Sequence, residues 1–240
     1  WLEFRRVLFR SQNRKNISKI YFYGAGCGTR PPKELLIKVL KSVFINSEFD
    51  IKEDTFAAVY ACCKPNEKAI VSILGTGSNC SYYDGNKLHQ KVTSLGYVLM
   101  DDASGNYFGR QLLRDYYFNK LSNDLETKFS SEFDLQAEVI KDSLYKKPNP
   151  NTYLAKFAKF LVENKDLEYS KELINKGFNL FIENQIKQFK NHHNVNLHFV
   201  GSIGYYLKNE LEHALKSNNL KIGKVLRRPI EGLVAYHQPH

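Results

Sequence analysis

Cysteine is scarce in this sequence and unevenly placed. Cys27, Cys62, Cys63 and Cys80 form no Cys-x-x-Cys pair. They are too few and too irregular for a disulfide framework, so a small stapled fold and a cysteine-built zinc site are both excluded. All four thiols are expected to be reduced and buried. No apolar run approaches the length needed to span a bilayer and no signal-peptide pattern opens the chain, so no membrane partner is expected and the location is read as cytoplasmic. A net charge of +10 raises the question of nucleic acid. The lysines, however, are spread through amphipathic segments and no nucleic-acid-binding motif accompanies them, so nucleic acid is not an expected partner. A linker rich in Pro, Gly or Ser is also missing. What is there is 240 residues, 42% of them hydrophobic, enough for a sizeable core in one large domain or two small ones.

The first residues stand apart from the rest. Leu2-Glu-Phe-Arg-Arg-Val-Leu-Phe-Arg-Ser11 is one reading frame of a common sequencing adapter, and residues 1–11 are expected to be an assembly artefact of a gene that continues upstream of Gln12. Setting aside Arg5, Arg6, Arg10 and Glu3 lowers the charge to +8.

From Gln12 the chain repeats one theme, a strand running into a small-residue turn and then a helix. Ile17–Tyr23 is rich in β-branched and aromatic residues and ends in Gly24-Ala-Gly-Cys-Gly28; Pro31 and Pro32 then suit a first helical turn, with Leu35, Leu36, Val39, Leu40 and Val43 at helical spacing. A short alternating segment, 49–53, leads to Asp54 at the head of the Ala-rich helix Thr55–Cys63. An Asp there is either an N-cap or a reactive carboxylate. Ala69–Leu74 reads as a buried strand ending in Gly75-Thr-Gly-Ser-Asn79, and the chain returns through Cys80–Tyr83 to a tight turn at Asp84-Gly85. That elbow is either a plain hairpin connection or a cradle whose N–H groups and hydroxyls surround an anion. A third strand is expected over 87–92, then a polar turn at Asp101-Asp-Ala-Ser-Gly105.

The next hundred residues read as helical. Candidate helices cover 134–145 and 171–189, and between them one helix carries Tyr153, Leu154, Phe157, Phe160 and Leu161. His192 and His193 fit a solvated loop better than a metal site. A strand at 195–200 enters Gly201-Ser-Ile-Gly204 and another helix, and the chain closes with a strand at 221–226 and a helix from Pro229.

Four features therefore follow in order: the Asp54 helix, the Leu-Gly-Thr-Gly-Ser-Asn hairpin, the Asp-Asp-x-Ser-Gly turn and the Phe-Val-Gly-Ser turn. Together, from about Ile17 to His237, they resemble the N-acetylglucosamine kinase-like branch of the BadF/BadG/BcrA/BcrD ATPase family, within the superfamily of sugar kinases, heat-shock chaperones and actin. The resemblance implies an α/β, two-lobed actin-like ATPase (ribonuclease H-like) fold. Residues 12–66, joined by the C-terminal helix 229–240, would form the remainder of the N-terminal lobe, and 67–228 the C-terminal lobe with a helical insertion. It also implies closure over ATP and a sugar. Gly75, Thr76 and Gly77 match a phosphate-binding loop, with Ser78 and Asn79 near the sugar. Asp54 matches the catalytic base, Asp101 a sugar-binding carboxylate, and Gly201 with Ser202 the adenosine-binding turn.

Departures from the family pattern shape the expectation. The N-terminal Asp-Gly-Gly-Gly-Thr-type hairpin that holds Mg²⁺ in the family is missing, so the first lobe is expected to be incomplete and no metal ligand is assigned. ATP and Mg²⁺ remain the implied cofactors of the intact parent, while this chain is expected to be weak or inactive. Thr93 and Ser94 stand where kinases acting on amino sugars tend to have Gly, and Ala103 replaces a Gly, which leaves the sugar open around N-acetylglucosamine. A homodimer is left open as well. Two other readings stay in view: an iron–sulfur activator ATPase of the 2-hydroxyacyl-CoA dehydratase or benzoyl-CoA reductase type, which needs exposed cysteines, and a non-catalytic nucleotide- or sugar-sensing module.

Overall fold

A computed structural model of the chain describes residues 14–238, so the expected artefact at 1–11 lies outside the described residues. Two compact units meet in sequence between Ala57 and Ala58. The boundary falls inside one helix, and each unit has its own core.

In the first unit, strands β1 (Lys19–Tyr23) and β2 (Glu48–Lys52) pair in parallel, Lys19 opposite Glu48 and Tyr23 opposite Lys52. Parallel neighbours need a crossover, and helix α1 (Arg30–Lys41), entered through Pro31 and Pro32 in its first turn, supplies it. Leu40, Phe44 and Ile51 form the core. Leu35 and Val39 share the helical spacing of Leu40 but are 66% and 54% exposed, so the apolar stripe is wider than the two-stranded sheet beneath it. The unit ends in the first turn of helix α2 (Asp54–Cys62).

The second unit is built on a five-stranded sheet of order β5-β4-β3-β6-β7. Its central strand is β3 (Ala69–Leu74), with β4 (Ser78–Tyr83) returning antiparallel on one side and β6 (Asn196–Val200) parallel on the other; β7 (Ile222–Leu226) extends the parallel half. Almost every β3 residue is buried, as in a strand covered on both faces. Alternation decides which face each side chain serves. Ile70 and Leu74 join the large core with Leu197 and Phe199, whereas Ala69 and Val71 meet Ala58, Val59 and Cys62 of α2 on the other side. Tyr236 of helix α11 (Ile230–His237) stacks on Tyr60, ring centroids 4.4 Å apart. The arrangement is mixed α/β with helices on both faces of the sheet, as expected from the alternation of strands and helices.

The expected third strand is cut to β5 (Leu88–His89), an edge strand paired only to Tyr82 and Tyr83. From there to β6 the regular elements are helical: α3 (Gly105–Tyr117), α4 (Asn123–Glu132), α5 (Ala137–Tyr145), α6 (Pro150–Ala155), α7 (Ala158–Glu163) and α8 (Glu168–Asn184). Several boundaries differ from expectation for local reasons. Helix α5 starts at Ala137 because the Asp134 carboxylate accepts the Gln136 N–H and holds the preceding turn out of the helix. The single helix expected through Tyr153 and Leu161 is two, because Phe157 and Phe160 donate to carbonyls three residues back and tighten the chain between them. Phe108, Phe129, Phe157, Phe160, Phe178 and Phe181 are all essentially fully buried, each contributing about 1.5–3 kcal/mol by burial. Two short helices, α9 (Ser202–Tyr206) and α10 (Lys208–Ser217), connect β6 to β7 and cover the same face. Among the described residues no helix is long and apolar enough to cross a membrane.

Candidate active site

Strands β3 and β6 run side by side in the same direction, so their C-terminal ends lie together, and both end in the small-residue turns read from the sequence. Gly201 has φ +128, a conformation confined largely to glycine. A Cβ there would stand 2.3 Å from the Leu74 carbonyl oxygen and 3.0 Å from the Gly75 nitrogen. The two turns are therefore in backbone contact, which no side chain at position 201 permits. Ser202 follows as the exposed first residue of α9.

The Gly75–Gly77 elbow is tied down from behind. Gly75 N–H donates to the Gly77 carbonyl at 3.0 Å, while Gly105 and Asn106 at the start of α3 donate to the carbonyls of Gly75 and Thr76 at 2.7 and 2.9 Å. These bonds use the elbow's carbonyls. They leave the Thr76 and Gly77 N–H groups with no acceptor among the described residues, two adjacent donors of the kind that bind anions. Ser78 Oγ is buried without a hydrogen-bond partner. A Cβ on Gly75 would meet nothing within 4 Å, and its backbone is not left-handed. Neither conformation nor packing explains the glycine, which leaves the open space in front of it.

Asp101 stands over the same elbow. Its Oδ2 would lie 2.7 Å from a Cβ on Gly77, so that glycine is what admits the carboxylate. Asp101 and Ala103 both have positive φ, 65° and 55°, which folds the turn tightly into α3. The helix is capped by Ser104, whose Oγ accepts the Tyr107 N–H. Asn106, 1% exposed, donates from its amide to Asp101 Oδ2 at 2.9 Å and accepts the Ser104 hydroxyl. The sequence argument did not single out Asn106. Its signal was an Asn, a poor helix former, in the first turn of an otherwise apolar helix face. Asn79 is partly buried, its carbonyl oxygen accepting from Ser81 and Gln90.

Asp54 belongs to the first unit and opens α2. Burial raises its carboxyl pKa, partly opposed by hydrogen bonds from the Thr55 N–H and its own N–H. Its carboxylate thus accepts from the first N–H groups of the helix, as an acid in a first helical turn does. The eight other expected site residues all lie in the second unit, where the elbow, Asp101 and the Gly201 turn come together.

Cys27, Cys62, Cys63 and Cys80 are free; Cys62 and Cys80 are buried, whereas Cys27 and Cys63 are half-buried rather than enclosed as expected. One group among the described residues gathers metal-type donors, Cys63, Glu67 and His198, within 4.8 Å. Its imidazole and carboxylate are already bonded. The Lys224 N–H donates to His198 Nδ1 at 2.8 Å, so the proton sits on Nε2 and points to Glu67 Oε1 at 3.2 Å. Burial lowers the His198 pKa and pushes the Cys63 thiol up to about 12. Neutral imidazole with no free lone pair and a protonated thiol do not fit a metal, least of all Mg²⁺, which demands oxygen ligands.

No family model matches the chain, and no curated protein matches it. Among solved structures, a candidate N-acetylglucosamine kinase from Porphyromonas gingivalis is 32% identical, with a TM-score of 0.87 over 94% of this chain and 79% of its own. The chain belongs to this N-acetylglucosamine kinase-like family of sugar kinases. A second such protein, from Chromobacterium violaceum, is 15% identical with a TM-score of 0.62, covering 90% of this chain and 75% of that one, and shares the fold. The fold is thus the expected α/β actin-like ATPase fold.

Proposed function

We propose that the chain serves ATP-dependent phosphorylation of a sugar hydroxyl, with N-acetylglucosamine or a related amino sugar as acceptor, in a member of the BadF/BadG/BcrA/BcrD ATPases. One observation carries this reading. A backbone elbow presents two unpaired N–H donors, an orphan buried hydroxyl and open space in front of Gly75, with a carboxylate fixed above it. Phosphoryl transfer asks a protein for positioning and charge stabilisation more than for covalent help.

In this mechanism the Thr76 and Gly77 N–H groups hold phosphate oxygens, the Ser78 hydroxyl lies near the sugar, and the Gly201-Ser202 turn borders the adenosine. ATP supplies the phosphoryl group when bound. Asp101, oriented by Asn106, accepts hydrogen bonds from sugar hydroxyls, and Asn79 lies next along the strand to add another. Asp54 takes the proton of the attacking hydroxyl as the new O–P bond forms, the bond to the β–γ bridging oxygen breaks and ADP leaves. Burial raises its pKa above the ordinary carboxylate value, which makes it a stronger proton acceptor than an exposed aspartate. Mg²⁺ accompanies the nucleotide, but no residue of the chain is assigned to it and no step is drawn through it. The activator-ATPase alternative needs thiolates on an exposed cluster site, whereas Cys62, Cys63 and Cys80 are all pushed up to about 12 by burial.

The test is ADP release with ATP against a panel of neutral and amino sugars, run on this chain and on a version extended upstream of Gln12 with what the locus encodes. Sugar-dependent release is expected from the extended version, weak or absent in this chain, and abolished by Asp54→Asn. Release that ignores sugar, or survives Asp54→Asn unchanged, overturns the reading.

A further inference from the structure

Away from the elbow, helix α3 carries two guanidinium groups that the kinase reading does not use. Arg110 and Arg114 lie one turn apart and both line a cavity of about 640 Å³, whose other walls include Tyr97, Gln111, Leu144 and Tyr145. No carboxylate lines this cavity, and neither arginine has an acidic partner among the described residues. Asp115, the acid next in sequence, is already engaged by the Tyr169 hydroxyl at 2.8 Å and by Lys120 at 3.9 Å. Like charges at this helical spacing repel when nothing lies between them.

The geometry fixes one of the two. Arg110 Nη1 donates to the carbonyls of Tyr97 and Val98, both at 2.9 Å, which holds the guanidinium at the cavity wall and leaves its other nitrogens free to donate. Arg114 lies against the Phe118 ring, its guanidinium carbon 5.4 Å from the centroid. Tyr145 is 82% exposed, a ring face with nothing packed over it. The volume is that of a small-molecule site.

We propose that this cavity binds a phosphorylated sugar, its phosphate between Arg110 and Arg114 and its ring against Tyr145 and Tyr97. Guanidinium forks match phosphate oxygens in pairs, and aromatic faces suit the apolar side of a sugar ring. The site stands on the cavity and its charges, independently of the sugar-kinase reading. Through the Tyr97 and Val98 carbonyls, Arg110 also joins the cavity to the segment that ends at Asp101.

The experiment uses the full chain with ¹³C-labelled Val and Leu methyl groups, titrated separately with glucose 6-phosphate, inorganic phosphate and glucose. Glucose 6-phosphate is expected to shift the methyls of Val98, Leu144 and Leu154 saturably, with glucose silent and phosphate weaker. Binding at the elbow would instead move Leu74. Arg114→Gln, on an exposed side chain, is expected to weaken the sugar phosphate roughly tenfold, the loss of one charge-assisted contact, while methyls elsewhere keep their positions. An equal response to glucose, an equal response to inorganic phosphate, silence at the cavity methyls, or unchanged affinity in Arg114→Gln each overturns the assignment.

Discussion

Replacing Gly75 by alanine separates a requirement of folding from a requirement of ligand binding. The new methyl group would meet no protein atom within 4 Å and the backbone there is not left-handed, so the folded state accepts it. Alanine also restricts the unfolded chain, which stabilises a protein by about 0.4–1 kcal/mol where the conformation is compatible. For a chain of this size that raises Tm by about 1–4 °C. The same methyl occupies the space in which a phosphate would lie against the Thr76 and Gly77 N–H groups. Losing one hydrogen bond to a charged group costs about 1.5–3 kcal/mol, or roughly 10- to 100-fold in ATP or ADP affinity. Gly201→Ala is the control in the opposite sense. Its Cβ would sit 2.3 Å from the Leu74 carbonyl oxygen at φ +128, so backbone strain and overpacking together cost about 2–6 kcal/mol. Thermal unfolding and isothermal titration with ADP read both quantities. A folded Gly75→Ala protein that binds nucleotide as tightly as the parent would refute the cradle.

Further expectations follow from buried polar groups. Ser78→Ala removes an orphan hydroxyl and should raise stability by about 1 kcal/mol in chemical denaturation, while weakening nucleotide or sugar binding measured in parallel. Asp54 has a raised folded pKa, so the folded state holds its proton more tightly and the buried charge costs stability above that pKa. Asp54→Asn should therefore be more stable than the parent at pH 7, the gap closing as pH falls towards the ordinary carboxylate value of 3.8, even as turnover is lost. His198 has a lowered folded pKa because it is buried neutral. Its contribution is present above the unfolded value of 6.5 and is lost on acidification towards the folded value, so a Tm profile between pH 7.5 and pH 5, taken as about one unit either side of that value, should be flatter in His198→Gln. Asn106→Leu should raise the sugar KM more than it changes kcat in the same ADP-release assay, since Asn106 only orients Asp101.

The parts of the molecule legible in the sequence were those where one residue type answers one physical demand. Ala69–Leu74 was readable as a buried strand because a strand covered on both faces is apolar at almost every position. The Asp84-Gly85 turn was readable because Gly85 needs φ +100. Long-range demands were not readable. Nothing local says that Gly77 is small because Asp101, 24 positions on, presses against it, or that Gly201 must clear the Leu74 carbonyl. The break between α6 and α7 hid inside a continuous apolar stripe, since Phe157 and Phe160 are core residues whether or not the helix is tightened between them. Leu35 and Val39 misled in the other direction, their spacing marking a face broader than the sheet they cross.

The placement of the elbow at the end of β3 sets how motion is distributed. The strand is paired from Ala69 to Leu74 with β4 and from Ala69 to Ile73 with β6, whereas the next two amides with unspent protons are those of Thr76 and Gly77. Amide hydrogen exchange should thus fall from among the slowest in the chain to among the fastest within three residues. A donor pair mounted on so fixed a support is ordered before any ligand arrives, and an incoming anion spends little of its binding energy on arranging it.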